Sequence, residues 1–163
     1  MNNEYDVVIV GGGPAGLSAA LMLGRCSRRV LLVDSGEYRN SVSKASHGFL
    51  TRDGTSPADL RRIGREQLVQ YGVVVKPDQV MAARALQADE RRPGENSGFI
   101  LGLNATGAVR ARKVILATGV VDVLPGIPGL MTVYGESVWT CPYCDAWEYR
   151  GKTLGVLGPN GAD

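Results

Sequence analysis

The sequence predicts an α/β fold in which a parallel sheet carries helices and an antiparallel β-meander precedes its last strand. Three observations lead there. An apolar run, Val7 to Val10, feeds the turn Gly11-Gly-Gly-Pro-Ala-Gly16 and then an alanine-rich helical stretch. A second apolar run ends in Asp34, close to the roughly 20-residue spacing from such a turn at which a ribose-binding carboxylate belongs. Three strand-like segments with short turns come next, where a plain dinucleotide dehydrogenase would continue with helices. Together these describe a Rossmann-like nucleotide-binding domain.

The elements follow in order. Tyr5 to Val10 reads as a buried strand, and Gly11, Gly13 and Gly16 satisfy G-x-G-x-x-G. The spacing suits a tight turn, a close approach to a pyrophosphate and a close helix–strand contact, with Pro14 and Ala15 opening the helix whose N-terminus would face the anion. That helix should run from Pro14 to Arg25, with proline where its missing N–H costs nothing. Arg29 to Asp34 is the second strand; an acid at its end, followed by Ser35, suits FAD or NAD and would repel the 2′-phosphate of NADP. Ser35 to Thr55 is loop-like, and Ser56-Pro57-Ala58-Asp59 is a strong helix start. Leu60, Ile63, Leu68 and Tyr71 fall on one side of that helix, Gly72 ends it, and Val73 to Val75 is the third parallel strand. Val80–Ala88, Gly98–Asn104 and Ala108–Arg112 make the meander. Lys113 to Gly119 then returns as a separate buried parallel strand ending in Ala117-Thr118-Gly119. The proline- and glycine-rich stretch from Asp122 to Gly129 is a linker. Gly151 to Gly158 reads as another strand entering a second glycine turn at Gly158-Pro-Asn-Gly161, inside which the sequence stops; a truncated reading is the simplest expectation.

Composition bounds the rest. At 163 residues with 44% hydrophobic side chains the chain is long enough for a real core. The net charge is +2, and the arginines alternate with acids or apolar residues, which disfavours a nucleic-acid surface. No run approaches the ~18 apolar residues of a membrane span, and the first strand begins too early for a signal peptide, so a cytoplasmic protein is expected. Of the three cysteines only Cys141 and Cys144 form a C-x-x-C, a spacing that in a reducing compartment points to catalysis or metal binding. A zinc site needs four ligands, and only Cys26 and His47 remain, so no metal is expected. Trp139 and Trp147 flank the pair and read as packing residues, and Asn104-Ala105-Thr106 matches a glycosylation acceptor by chance.

Gly11-Gly-Gly-Pro-Ala-Gly16, Ala117-Thr-Gly119 before a Leu-Pro-Gly-Ile-Pro-Gly segment, Cys141-Pro-Tyr-Cys144-Asp145 and Thr153-Leu-Gly-Val-Leu-Gly158 stand in this order along the chain. The set resembles the low-molecular-weight thioredoxin reductases and their relatives among the pyridine nucleotide-disulfide oxidoreductases. The resemblance implies an N-terminal FAD-binding segment at 1–119, a linker at 120–133 and the truncated start of an NAD(P)-binding domain carrying the dithiol at 134–163. It also implies FAD as cofactor, NAD(P)H as electron donor and a homodimer. Arg39-Asn40 and the His47-Gly48-Phe49-Leu50 stretch would lie around the flavin, and both depart from the usual reductase pattern, as does Pro142-Tyr143 between the cysteines. The substrate implied is a thioredoxin-like protein or, in a related branch of oxidases, a small dithiol. By resemblance Cys144 would face the flavin, Cys141 would meet the substrate and Asp145 would pass a proton; the lesser alternative for a lone acid is a solvated turn residue. His47 could be a flavin contact, a proton donor or a polar loop residue. A different class of outcome is a non-catalytic fragment that binds FAD weakly or not at all.

Overall fold

A computed structural model describes residues 3–158. The chain builds a six-stranded sheet in the order β3-β2-β1-β6-β5-β4. The strands are β1 Glu4–Val10, β2 Val30–Asp34, β3 Val74–Pro77, β4 Val80–Ala85, β5 Phe99–Leu103 and β6 Gly107–Leu116. β1, β2, β3 and β6 are mutually parallel, and β5 and β4 continue antiparallel. Helix α1, Pro14–Arg25, crosses from β1 to β2, and α2, Pro57–Val69, leads into β3.

Alternation along β1 and β2 explains the layering, since successive side chains of a strand point to opposite faces. Val7, Ile9, Val30 and Leu32 meet Leu17 and Ala20 of α1 and Leu68 of α2 on one face. Val8, Leu31 and Val33 meet Leu101, Leu103, Val109 and Ala111 on the other. The meander therefore covers the face that the helices leave bare, and β2 is buried along its whole length. Ser56 caps α2 as its sequence demands: its Oγ accepts from the Asp59 amide at 3.1 Å and Pro57 takes the first helical position.

Two expectations need correction. The third meander strand and the last parallel strand are one element, β6. Its first half pairs antiparallel with β5 and its second half parallel with β1, with Arg110 and Ala111 in register with both neighbours. No turn residue interrupts Gly107–Leu116, so nothing divides the strand. The expected strand within Gly151–Gly158 is not formed: the stretch is exposed and pairs with no strand among the described residues, and an unpaired extended segment has no ladder to hold it. The second glycine turn lies outside the described residues. The linker also carries a one-turn helix, α3, Leu130–Val133, and Asn104–Thr106 builds the β5–β6 turn, where Thr106 and the Ala105 amide donate to buried Asp78.

Leu101 is the fully buried side chain that seats the meander on the sheet. Leu101→Ala should lower stability by about 2–5 kcal/mol in urea denaturation, whereas exposed Met81→Ala should stay within about 0.5 kcal/mol. Equal losses would show that the meander is not part of the core.

Candidate functional site

The glycine turn is shaped by contacts that no side chain could share. A Cβ on Gly16 would lie 1.9 Å from the Gly11 carbonyl oxygen, and one on Gly11 would lie 2.2 Å from that of Ala117. Gly13 is the N-cap of α1 and has no side-chain capping bond, and a Cβ there would meet nothing within 4 Å. The first-turn N–H groups of a helix have no intrahelical partner, so this end offers donors and a positive dipole to an anion. Ala15 is exposed there beside Pro14, and Thr118 and Gly119 are exposed after β6, beyond the Ala117 amide that binds Val10. A phosphate-bearing dinucleotide fits this cradle.

Asp34 sits at the end of β2, but its carboxylate is enclosed. Oδ1 accepts from the amides of Gly12 at 3.3 Å and Gly36 at 3.2 Å, and Oδ2 accepts from the Tyr38 hydroxyl and from Arg65. A Cβ on Gly12 would strike that carboxylate at 2.2 Å, which explains the middle glycine of the triplet. Burial pushes the Asp34 carboxyl up, but the bonds from Tyr38, Gly36 and Arg65 outweigh it and hold the group below the ordinary carboxylate range. Burial, reinforced by the bond to Asp34, raises the Tyr38 phenol. Arg61, one turn before Arg65 on α2, lies 3.7 Å from the centre of the Tyr38 ring and donates to Asn40 Oδ1 at 3.2 Å. Arg61, Arg65 and Tyr38 were not among the sequence-derived site residues; the signal was the four-residue spacing of the two arginines on the helix that faces a strand-terminal acid. Ser35 itself is exposed, its Oγ accepting only from the Glu37 amide.

A second cluster surrounds the cysteines. Cys141 and Cys144 are joined as a disulfide with their Cα atoms 5.3 Å apart, and the second lies on α4, Pro142–Asp145. Cys141 is half-buried and Cys144 exposed, while Tyr143 between them is 99% exposed. His47 comes here from its loop: Nδ1 is 3.6 Å from Asp53 and Nε2 3.6 Å from Glu148. Asp145 is half-buried; burial and neighbouring Glu148 raise its carboxyl, with His47 partly opposing them. Trp139 stacks on Tyr149 at 4.5 Å, but Trp147 is 71% exposed under Arg150 and is not the packing residue expected.

Arg39 does not stand free beside a ligand. Its Nε contacts Asp122 at 2.8 Å and its Nη2 donates to Thr140 at 3.1 Å, with Tyr134 also donating to Asp122 at 2.8 Å. It thereby ties the loop after β2 to the linker and to the residue preceding Cys141. No hydrogen bond or ion pair joins the glycine turn directly to the dithiol cluster among the described residues. Nor is any group of three or more His, Cys, Asp or Glu placed to hold a metal there, and no helix there is long and apolar enough to cross a membrane.

The matches to known proteins run along the chain through both clusters. The family model described as pyridine nucleotide-disulphide oxidoreductase matches residues 5–158. A probable thioredoxin reductase of Arthroderma benhamiae is 43% identical over 158 residues, covering 96% of this chain and 38% of that relative. The thioredoxin reductase tcpT of Claviceps purpurea is 38% identical over 165 residues, covering 98% and 49%. Among solved structures, HlmI superposes with a TM-score of 0.82 at 39% identity, covering 91% of this chain and 45% of that one. A putative thioredoxin reductase, TrxB of Bacillus anthracis, gives 0.79 at 36%, covering 88% and 46%. The chain thus spans less than half the length of each.

The lowered pKa of Asp34 fixes a pH window. Because the folded carboxyl is more acidic than the unfolded one, its stabilisation is complete above the ordinary value of about 3.9 and is lost as pH falls through the folded value. The urea midpoint of wild type should exceed that of Asp34→Asn by a constant margin from pH 7 to pH 5, and the margin should shrink below about pH 4. A margin that survives full acidification would show that charge on Asp34 contributes nothing.

Proposed function

Because the chain belongs to the pyridine nucleotide-disulphide oxidoreductase family, we propose that it forms the FAD-binding and dithiol-bearing part of a thioredoxin reductase-like flavoenzyme. Electrons would pass from NAD(P)H through FAD to Cys141–Cys144 and on to a disulfide partner of the thioredoxin kind. The observation that carries the proposal is the Cys141–Cys144 disulfide followed in sequence by half-buried Asp145, in a chain whose β1–α1 turn is an uncapped glycine cradle.

Gly11 and Gly13, with the amides after Pro14 and with Gly16 keeping α1 close to the turn, would hold the pyrophosphate, Asp34 would take the adenosine ribose, and Ala117-Thr118-Gly119 would border the site. Bound FAD supplies a two-electron carrier between the nicotinamide and the disulfide. Opening the Cys141–Cys144 bond takes two electrons and, for both sulfurs to end as thiols, two protons. Asp145 holds a proton to higher pH than an ordinary carboxyl and so delivers one of them to the adjacent Cys144 sulfur. Cys141, as thiolate, then attacks one sulfur of the partner disulfide and expels the other as a thiolate, which takes the second proton from water. Cys144 attacks Cys141 in turn, restoring the internal disulfide and releasing the reduced partner. Arg39 positions this segment through Asp122 and Thr140, and His47 faces Glu148 at its edge.

In the protein that carries this chain, Cys144→Ser should abolish disulfide turnover and leave flavin bound; a variant that loses flavin yet still turns over would sink the assignment. Asp145→Asn should slow reductive opening of the disulfide by about 10²–10⁴-fold. It should also remove the fall in rate expected of wild type as pH rises through the Asp145 pKa. An unchanged pH profile in stopped-flow reduction would remove Asp145 from proton delivery.

A further inference from the structure

The seat assigned to the adenosine ribose is closed by the chain itself. A carboxylate offers about four acceptor positions, two on each oxygen. Asp34 uses all of them: Gly12 and Gly36 amides on Oδ1, and the Tyr38 hydroxyl and Arg65 Nη2 on Oδ2. Only 3% of its side-chain surface reaches solvent. The two blocking groups also hold each other, since Arg65 Nη2 donates to the Tyr38 oxygen at 2.7 Å. The result is a closed ring of three side chains, backed by Arg61 across the face of Tyr38. A vicinal diol therefore has no vacant acceptor on Asp34 until a member of the ring lets go. Arg65 is the member built to leave. Its side chain is 42% exposed, it sits on α2 rather than on the β2 end, and its Nε is buried without a hydrogen-bond partner.

We propose that Tyr38 and Arg65 form an internal latch on the ribose seat, and that an adenine dinucleotide binds by displacing Arg65 from Asp34. The proposal rests on the dinucleotide assignment of the glycine turn. The two backbone amides stay on Oδ1 and keep the carboxylate aimed, while the ribose hydroxyls take over the charge-assisted bond on Oδ2. Affinity for the adenosine half is then the difference between two occupants of one acceptor. Arg65 acts as a competitor that the ligand must outbid, not as a ligand-binding residue.

The test is a titration of the purified 163-residue chain with ADP, which carries the adenosine ribose and pyrophosphate and needs no flavin pocket. Wild type, Arg65→Met and Tyr38→Phe are compared by calorimetry and by thermal unfolding with and without saturating ADP. Arg65→Met should bind ADP about two- to fivefold more tightly, the scale of a partly exposed ion pair, and Tyr38→Phe should shift affinity the same way by less. Without nucleotide Arg65→Met should melt below wild type, and saturating ADP should narrow that gap, because the bound form no longer uses the contact. Tyr38→Phe keeps the ring under Arg61 and serves if Arg65→Met does not fold. Unchanged or weaker ADP binding in the variants, or a melting gap that ADP leaves constant or widens, overturns the latch while the dinucleotide assignment stands. No ADP binding by any of the three chains overturns that assignment and the latch with it.

Discussion

Three backbones converge on Gly11. The carbonyl of Gly11 lies where a Cβ of Gly16 would be, and the carbonyl of Ala117 lies where a Cβ of Gly11 would be. The Gly11 amide binds Val33 and the Ala117 amide binds Val10, so the ends of β1, β2 and β6 and the start of α1 share one small volume. Everything functional inherits this point. It aims the uncapped end of α1, it brings the end of β2 and its carboxylate onto Gly12, and through β6 it fixes where the linker departs. A methyl group at either position would force apart elements whose apolar faces are already packed to interior density.

The dithiol segment is held by other forces. The sheet is secured on both faces by buried aliphatic side chains, but residues 134–149 hang on the loop after β2 by Arg39–Thr140, Lys44–Glu136 and the weak contacts of His47. Exposed pairs of this kind are weak and are screened by salt. Ionic strength thus acts on the placement of the cysteines and hardly at all on the placement of the glycine turn. A cavity of about 500 Å³ lined by Arg92, Arg112 and Lys113 includes no residue of either cluster, and its arginines pair with Glu4 and Asp6.

Local rules made much of the fold legible. Proline at N1 and Ser56 before Pro57 gave the starts of both long helices, because caps and fixed φ act within a few residues. The glycine turn was legible for the same reason. What the sequence hid was non-local. The fusion of two expected strands into β6 depends on which neighbours pair with residues 107–116, and the missing strand at 151–158 depends on whether any neighbour exists. Asp34 could be placed at the end of β2, but not its enclosure by Arg65, since the two are joined only once α2 docks on the sheet. His47 was undecidable for the same reason: only the folded loop carries it to Glu148.

β1 has a consequence for how the chain emerges during synthesis. Its partner on one side, β2, follows within thirty-odd residues, but its partner on the other is β6, with Val7 in register with Lys113 and Val10 with Leu116. The apolar β1 edge, Val7 to Val10, must therefore wait unpaired while α1, α2 and most of the meander are translated. Long-range pairing of this kind is slow, and an open hydrophobic edge is a template for another chain. The interval between β1 and β6 is thus the period in which a nascent chain most needs protection, and it closes only when Leu116 has cleared the ribosome.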